Sequence, residues 1–312
     1  MVRPAVSVLI VNWNTKELTL RCLESLPVGI GDDLTVEVIV VDNGSCDGSA
    51  AAIAQQPDLV LLRNDENLGY AAAVNQAYAR SSGELVLLLN SDIVLAPGSL
   101  STLVRFLHEH EEVAGAAPLY RYPDGSPQPF HFRFPTFATT LASGSALLGR
   151  LPGAQRRIRA YRMLDDDFSR PRRVPQPSAS CLLLRRRCLP ADRIFDERYP
   201  VFFNDVQLAR RFAAGGYELW VTPSAMVYHH HAASTLMLGS ALKRQYLGSL
   251  VRMLEETEPA YRVWAYRTIV FVQGLVLVLL RRPGALPLRD LWKALGGDPG
   301  PLPRTPSISS AS

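Results

Sequence analysis

The sequence of 312 residues lacks a long run of Lys and Arg interleaved with aromatic residues, and its formal net charge is only +4. Such a small positive excess does not indicate nucleic acid as a partner. The four cysteines, Cys22, Cys46, Cys181 and Cys188, form no CxxC pair. The pattern therefore indicates neither a disulfide framework nor a zinc knuckle, and we expect a reducing, cytoplasmic compartment.

Two further features are missing. The first apolar run, at residues 6–11, comes so early that we expect no signal peptide. The longest apolar run, 268–280, is shorter than the ~20 residues of a spanning helix. Trp264, Tyr266 and Arg267 precede it and Arg281 and Arg282 follow it. This composition fits an interfacial helix in peripheral contact with the inner face of the cytoplasmic membrane, and equally a packed helix or a homodimer contact.

Strands and helices alternate in the first hundred residues. Short apolar runs at 6–11, 36–41, 58–63 and 85–89 are typical of buried strands. The spacing between them predicts helices at 16–25, from Asp47 onward, and at 69–81. This alternation predicts an α/β fold with a largely parallel sheet. Farther along, we expect two short strands at 218–221 and 225–228 and a helical region from about 238 to 295.

Polar residues stand at the ends of the predicted strands, at Asn12, Asp42, Asn64 and Asp92. Ligands of such sheets bind outside the carboxyl ends of the strands, so these positions predict a binding cleft. A carboxylate such as Asp92 at the end of a buried strand is costly unless it is paired. The usual partner is a cation that holds phosphates. Gly69, at a helix start, would let the backbone approach a diphosphate closely.

Four segments, at 6–14, 40–45, 67–75 and 88–92, resemble the inverting glycosyltransferases of family 2, most closely the rhamnosyltransferase-like branch. The resemblance extends over about residues 6–235. It implies the GT-A fold, a Rossmann-like α/β/α sandwich with a mostly parallel mixed sheet, here with a helical C-terminal extension. It also implies a nucleotide-sugar donor and a divalent cation.

The resemblance assigns the metal site to Asn90-Ser91-Asp92, where Asp92 would coordinate Mg²⁺ or Mn²⁺ bridging the diphosphate. The motif has one carboxylate, so the ion would be held jointly by protein, phosphates and water. Three adjacent histidines follow the last core strand. Alignment on Ser234 and Thr235 selects His229 as the second ligand, with His231 as a weaker candidate.

The resemblance assigns the catalytic base to Asp205, in the segment 195–211. The family has Glu-Asp where this chain has Asn204-Asp205. Direct displacement needs a base on the acceptor side and charge neutralisation on the diphosphate side. Asp205 could instead, or in addition, be the N-cap residue of a helix that begins at Val206. The substrate-binding candidates are Asn12, Asn14, Asp42, Asn43, Asn67, Gly69, Asn75, Asn90 and Ser91.

We expect a GT-A domain over residues 1–236, with a nucleotide-binding half at 1–100 and an acceptor and metal half at 101–236. A helical extension at 237–295, in interfacial contact with membrane or packed, and a disordered tail at 296–312 would follow. The expected reaction is metal-dependent transfer of a sugar to a saccharide or lipid-linked saccharide in cell-envelope polysaccharide synthesis. The resemblance points to rhamnose from dTDP-rhamnose and leaves UDP-galactofuranose and UDP-hexose donors open.

Two other classes compete with this interpretation. One is a nucleotide-sugar-binding module without catalysis, which the presence of Asp205 disfavours. The other is a nucleotidyltransferase on a similar sheet, which usually needs a Gly-rich, basic loop after the first strand. Residues 12–15 supply neither glycine nor a basic cluster.

Overall fold

A computed structural model describes residues 4–31, 34–144, 148–230, 239–280, 282 and 285–302. Its strands are β1 Val6–Asn12, β2 Val36–Asn43, β3 Leu59–Asn64, β4 Leu85–Asn90, β5 Ile93–Leu95, β6 Val113–Arg121, β7 Pro127–Gln128, β8 His131–Phe132, β9 Arg172–Arg173, β10 Gln176–Pro177, β11 Cys181–Arg185 and β12 Glu218–His229. Its α-helices are α1 Lys16–Ile30, α2 Ser49–Ile53, α3 Tyr70–Arg80, α4 Ser99–Glu109, α5 Phe137–Gly144, α6 Pro152–Tyr161, α7 Asn204–Ala214, α8 Gly239–Thr257, α9 Ala260–Leu279 and α10 Leu288–Leu295.

One mixed sheet runs through the molecule in the order β3-β2-β1-β4-β11-β6-β12-β5. The strands β3, β2, β1 and β4 are parallel, and β11 is antiparallel to both of its neighbours. The strand β12 runs parallel to β6 and antiparallel to β5. The predicted α/β fold with a mostly parallel mixed sheet is confirmed. Because β11 lies between β4 and β6, the two expected halves share one continuous sheet.

Both faces of this sheet are covered. In β1, Leu9 and Val11 join the core cluster that includes α3 and α7. Val8 and Ile10 point to the other face and join the cluster that includes α1 and α4. Successive side chains of a strand point to opposite faces, so a strand covered on both sides is apolar at every position. This is why the predicted strands appear in the sequence as continuous apolar runs.

The last strand differs from the expectation. The two short strands predicted at 218–221 and 225–228 form one strand, β12, with a register shift between Val221 and Met226. Pro223 lies within this shift, and proline has no N–H to donate to a ladder. The pairing resumes at Met226 and continues to His229, which lies opposite Ile93 of β5.

The C-terminal helices form a third core cluster. Leu250, Val251 and Leu254 of α8 pack with Val263 of α9 and Leu291 of α10. Helix α9 begins eight residues before the apolar run 268–280 and is 20 residues long. It is therefore longer than the run alone suggested, and by length and composition it could cross a membrane.

Residues 296–302 of the expected disordered tail are packed against α8, where Asp298 accepts a hydrogen bond of 2.7 Å from Arg244 and Gly300 accepts one of 2.9 Å from Gln245. Residues 303–312, and the expected domain boundary at 236–237, lie outside the described residues.

The basic run 185–187 is partly structural. Arg185 is buried, and its guanidinium donates hydrogen bonds to the backbone oxygens of Val113 (2.8 Å), His110 (3.2 Å) and Leu107. It therefore ties the end of α4 to the start of β6.

We predict that Arg185→Leu destabilises the fold by about 2–4 kcal/mol, because three backbone oxygens lose a charged donor in a buried place. Arg187→Leu is the matched control, since Arg187 is exposed and donates to a single backbone oxygen, that of Glu111. We expect this control to change the stability by about 0.5 kcal/mol or less. Urea unfolding measures both, and equal effects would contradict the structural role of Arg185.

Candidate active site

The carboxyl ends of β1, β2 and β4 border a cleft of about 680 Å³. The candidate residues that line it are Asn43, Asn67, Asn90, Ser91, Asp92, Asp205 and His229. The other candidates, Asn12, Asn14, Asp42, Gly69 and Asn75, are not among its lining residues. The structure therefore divides the candidate residues into those that reach the cleft and those that support it.

Asn12 and Asp42 are among the supporting residues. The amide of Asn12 donates hydrogen bonds to Oδ1 of Asp42 (2.6 Å) and to Oγ of Ser45 (3.0 Å). The amide oxygen of Asn12 accepts from the hydroxyls of Thr15 (2.9 Å) and Thr19 (2.6 Å). Asn12 and Asp42 are buried, and their polar atoms are used within the protein. They hold the ends of β1 and β2 together.

The turn after β1 places an indole in the cleft. Asn14 adopts a positive φ of 51°, and its side-chain oxygen accepts a hydrogen bond of 2.8 Å from the N–H of Cys46. The neighbouring Trp13 lines the cleft, and its Nε1–H is buried with no hydrogen-bond partner among the described residues. An indole N–H that is buried usually finds an acceptor. Trp13 is a candidate ligand contact that the sequence reasoning missed.

Asn43 and Asn67 form one polar patch of the cleft. The amide of Asn43 donates to Oδ1 of Asn67 at 2.9 Å, and its oxygen accepts from the N–H of Leu68 at 3.1 Å and from the amide of Asn64 at 3.0 Å. These bonds hold the loop after β3 against the end of β2.

Gly69 and Asn75 contact the segment 194–200, which precedes Asp205 in the chain. Gly69 has a φ of +88°, and a side chain there would come within 2.9 Å of Pro200. The space that we expected a diphosphate to approach is thus filled by Pro200. The amide of Asn75 binds the backbone of Ile194 and Phe195 at 2.9–3.0 Å. Both residues position the chain that enters α7.

The segment Asn90-Ser91-Asp92 connects β4 to β5. The amide of Asn90 donates to Oγ of Ser180 at 3.1 Å, and the hydroxyl of Ser91 lies 3.1 Å from that of Thr15. Asp92 is 9% exposed. The hydrogen bonds of Asn90 and Ser91 therefore fix the turn, and the carboxylate of Asp92 lies at the surface of the cleft.

The pairing of β12 with β5 brings His229 to Asp92, with Nε2 of His229 3.5 Å from Oδ2 of Asp92. On the other side of the ring, Nδ1 lies 3.1 Å from Oε1 of Gln128. An amide oxygen only accepts hydrogen bonds, so in this orientation of the Gln128 amide Nδ1 donates and the lone pair of Nε2 is directed toward the carboxylate. A cation fits between a lone pair and a carboxylate oxygen. Gln128 orients the ligand as outer-shell partners of metal-bound histidines do.

Asp92 and His229 would be two ligands of a divalent ion. Within the described residues, no group of three or more His, Cys, Asp or Glu side chains could hold a metal. A carboxylate and an imidazole suit Mn²⁺ or Mg²⁺ when phosphate oxygens and water complete the shell. The weaker candidate His231, and the Ser234 and Thr235 used for alignment, lie outside the described residues.

Asp205 lies in the first turn of α7 and lines the cleft. Its Oδ1 accepts a hydrogen bond of 2.8 Å from the N–H of Val206, and its Oδ2 accepts one of 3.3 Å from the amide of Gln176. Burial raises the pKa of the Asp205 carboxyl above its usual value, against the effect of these two donors. A raised carboxyl pKa is suited to accepting a proton near neutral pH.

Tyr70, the first residue of α3, lies within electrostatic reach of both carboxylates. Burial, and then the charges of Asp205 and Asp92, raise the pKa of the Tyr70 hydroxyl. Tyr70 also lines the cleft. The sequence reasoning missed this residue, although its place directly after Gly69 was an available signal.

Helix α8 closes one side of the cleft with Leu242, Lys243 and Tyr246. Lys243 is the one Lys or Arg among the described residues of the lining. Phe130, Phe132, Phe202 and Phe203 make much of the remaining wall aromatic. The sequence reasoning did not connect these residues to the site, because they are distant in the chain and belong to no recognised motif.

The fold and the cleft define a GT-A glycosyltransferase that acts on nucleotide-sugars. Residues 7–189 match the family described as Glycosyl transferase family 2. N-acetylglucosaminyl-diphospho-decaprenol L-rhamnosyltransferase of Mycobacterium tuberculosis is 34% identical over 227 residues, or 69% of this chain and 72% of the relative. The O-antigen biosynthesis protein RfbC of Myxococcus xanthus is 29% identical over 209 residues, or 64% of this chain and 15% of that protein. This chain belongs to glycosyl transferase family 2.

Two solved structures share the fold. The mannosyltransferase PcManGT of Pyrobaculum calidifontis, in complex with GDP-Man and Mn²⁺, has a TM-score of 0.52 at 18% identity and covers 94% of this chain and 79% of its own. GalNAc-T7 with UDP, GalNAc and Mn²⁺ has a TM-score of 0.59 at 14% identity and covers 95% of this chain and 57% of its own. The predicted GT-A fold and the predicted enzyme class are confirmed.

The raised pKa of Asp205 predicts that Asp205→Asn is more heat-stable than the parent protein at pH 7. The folded state binds this proton more tightly than the unfolded state, so the stabilising contribution is complete below the unfolded pKa of ~3.9 and is lost as pH rises through the folded pKa. We expect a gain in Tm on the order of 2–4 °C at pH 7 that shrinks as pH falls.

The matched control is Asp124→Asn, because hydrogen bonds from Ser126 lower the pKa of this exposed carboxyl. Its effect at pH 7 should be a small loss of Tm or none. Thermal unfolding between pH 4 and pH 8 makes the comparison, and a clear loss of Tm in Asp205→Asn at pH 7 would contradict the raised pKa of Asp205.

Proposed function

We propose that the protein transfers rhamnose from dTDP-rhamnose, with inversion and with the help of a divalent cation, to a hydroxyl of a lipid-linked saccharide in cell-envelope polysaccharide synthesis. The observation that carries the proposal is that Asp92 with His229, and Asp205, face one cleft. The name of the Mycobacterium tuberculosis relative supports the choice of sugar and acceptor. The four described cysteines are free, which supports a cytoplasmic location.

The leaving diphosphate is assigned to Asp92 and His229. A bound Mg²⁺ or Mn²⁺ ion would supply positive charge against the leaving diphosphate. Gln128 keeps the proton of His229 on Nδ1 and thereby directs Nε2 toward Asp92. Lys243 adds a cation to a lining that otherwise contains two carboxylates. These contacts favour the state in which negative charge has moved onto the diphosphate.

The acceptor is assigned to Asp205. Its carboxylate takes the proton of the acceptor hydroxyl while the hydroxyl oxygen forms a bond to the anomeric carbon. The bond between that carbon and the diphosphate oxygen breaks, and its electron pair leaves with the nucleoside diphosphate. Attack from the side opposite the leaving group inverts the anomeric configuration. Gln176 holds one oxygen of the carboxylate and so orients the base.

The aromatic wall supports a sugar with an apolar edge. Rhamnose is a 6-deoxy sugar and carries a methyl group where a hexose has a hydroxymethyl group. Phe130, Phe132, Phe202 and Phe203 offer apolar surface to such a methyl group. Trp13, Asn43 and Asn67 offer polar groups to the nucleotide or to the remaining hydroxyls.

We predict that Mn²⁺ tightens the binding of dTDP-rhamnose and that EDTA reverses the effect. Asp92→Asn and His229→Gln should lose this gain, and Gln128→Leu should weaken it by about 10–100-fold, as changes to outer-shell partners do. Calorimetric titration with and without Mn²⁺ measures the effect, with UDP-hexoses and UDP-galactofuranose as competing donors. Asp205→Asn is the control and should keep the full gain. Metal-independent binding, or tighter binding of a UDP-sugar, would contradict the assignment.

We predict that Asp205→Asn lowers kcat by about 10²–10⁴-fold, because the acceptor hydroxyl loses its base. Donor affinity should stay unchanged. In the parent protein kcat should fall as pH falls, with a midpoint above the usual value of an Asp, because burial raises the pKa of Asp205. Turnover on a lipid-linked acceptor, followed against pH, tests this, and near-normal turnover by Asp205→Asn would overturn the assignment.

A further inference from the structure

The outer side of α9 and α10 exposes large apolar side chains. Trp264, Val272, Val276 and Leu279 recur at helical spacing along α9, and Trp292 extends the same surface from α10. Trp264, Leu279 and Trp292 are 66%, 71% and 69% exposed. We call these five residues the apolar face. Contiguous apolar surface of this kind on a folded protein marks a contact with another partner.

The opposite side of α9 is fixed to the rest of the protein. Val263 and Tyr266 are buried in the third core cluster with α8 and α10. In the second half of the helix, a side chain at Gly274 would come within 2.3 Å of Leu291, so the two helices touch closely there. Val263 and Tyr266 are the buried residues of α9, and most of its apolar length is at least partly exposed. The helix is therefore packed on one side from Val263 to Gly274 and open on the other.

The charges beside the apolar face are positive. Every acidic residue described between 239 and 302 is ion-paired with an arginine: Glu255 with Arg267, Glu256 with Arg198, Glu258 with Arg262, and Asp290 and Asp298 with Arg244. Arg282, Arg289 and Lys293 are exposed and form no ion pair within the described part of the chain. Arg289 and Lys293 flank Trp292 on the outer side of α10, whose inner side is buried.

We propose that the apolar face rests on an anionic lipid bilayer, with α9 and α10 lying in the plane of the headgroups. Tryptophan and cations around an apolar stripe are the composition of helices at this interface. Arg282, Arg289 and Lys293 would contact lipid phosphates, and Val272, Val276 and Leu279 would enter the acyl boundary.

The in-plane orientation follows from the packing of α9. To cross a bilayer, α9 would have to leave α8 and α10 and expose Val263, Tyr266 and Leu291, which are buried. Lying flat needs no such change, because the apolar face is already exposed.

The bilayer contact would place the cleft beside the membrane. Helix α8 lines the cleft with Lys243 and Tyr246 and packs its other side on α9 and α10. Helix α8 therefore lies between the cleft and the two helices that carry the apolar face. The conclusion that this arrangement presents a lipid-linked acceptor rests on the proposed function, whereas the bilayer contact does not.

The test is co-sedimentation of the full chain with phosphatidylcholine vesicles and with vesicles that also contain phosphatidylglycerol. We expect binding that is strongest with phosphatidylglycerol and weakens with salt. Val276→Glu/Leu279→Glu should weaken it at least about tenfold, because charges would enter the acyl boundary. Arg289→Ala/Lys293→Ala should weaken binding to the anionic vesicles by about fivefold for each removed cation.

The matched control is Val28→Glu/Leu151→Glu, which places two charges at exposed apolar residues outside the apolar face and should bind as the parent does. Turnover of a water-soluble acceptor without vesicles should be equal in all variants, which separates this test from that of the proposed function. Absence of vesicle binding would overturn the proposal. So would a dimer in light scattering that Val276→Glu/Leu279→Glu dissociates, or resistance of the bound protein to alkaline carbonate, which indicates spanning.

Discussion

The site depends on the pairing of β12 with β5. This antiparallel pairing sets His229 opposite Ile93 and so brings the imidazole to Asp92, the residue before Ile93. Side chains alternate along a strand, so a slip of one residue would turn His229 to the other face of the sheet. The register shift between Val221 and Met226 fixes the register in which this end of the strand pairs. This irregularity thus decides whether His229 faces Asp92 or the opposite face of the sheet.

The position of Asp205 depends on a different set of contacts. Asn75 and Gly69 hold the segment that leads into α7, and α7 carries Asp205 into the cleft. The protein thereby buries a carboxyl group whose charged form is disfavoured, within electrostatic reach of Tyr70. A buried carboxyl group with a raised pKa reduces the stability of the fold at neutral pH. Groups of this kind are frequent in active sites, where a side chain has to accept a proton. The two carboxylates thus have separate structural supports.

The sequence predicted the fold class well, because strands that are buried on both faces leave unmistakable apolar runs. It predicted one β12 as two strands, because Pro223 interrupts the pattern. It placed Asn12 and Asp42 on the ligand, but a polar residue at a strand end serves equally well for hydrogen bonds inside the protein. Only the tertiary structure decides between the two uses. Gln128 and Lys243 could not be predicted, since each acts on the site from an element that is distant in sequence.

The central claim is the division of labour between Asp92 with His229 on the diphosphate and Asp205 on the acceptor. Pulsed electron paramagnetic resonance of Mn²⁺ bound with dTDP tests it most directly. We predict a coupling of Mn²⁺ to a histidine nitrogen that disappears in His229→Gln and persists unchanged in Asp205→Asn. A coupling that survives in His229→Gln, or is lost in Asp205→Asn, would contradict the account.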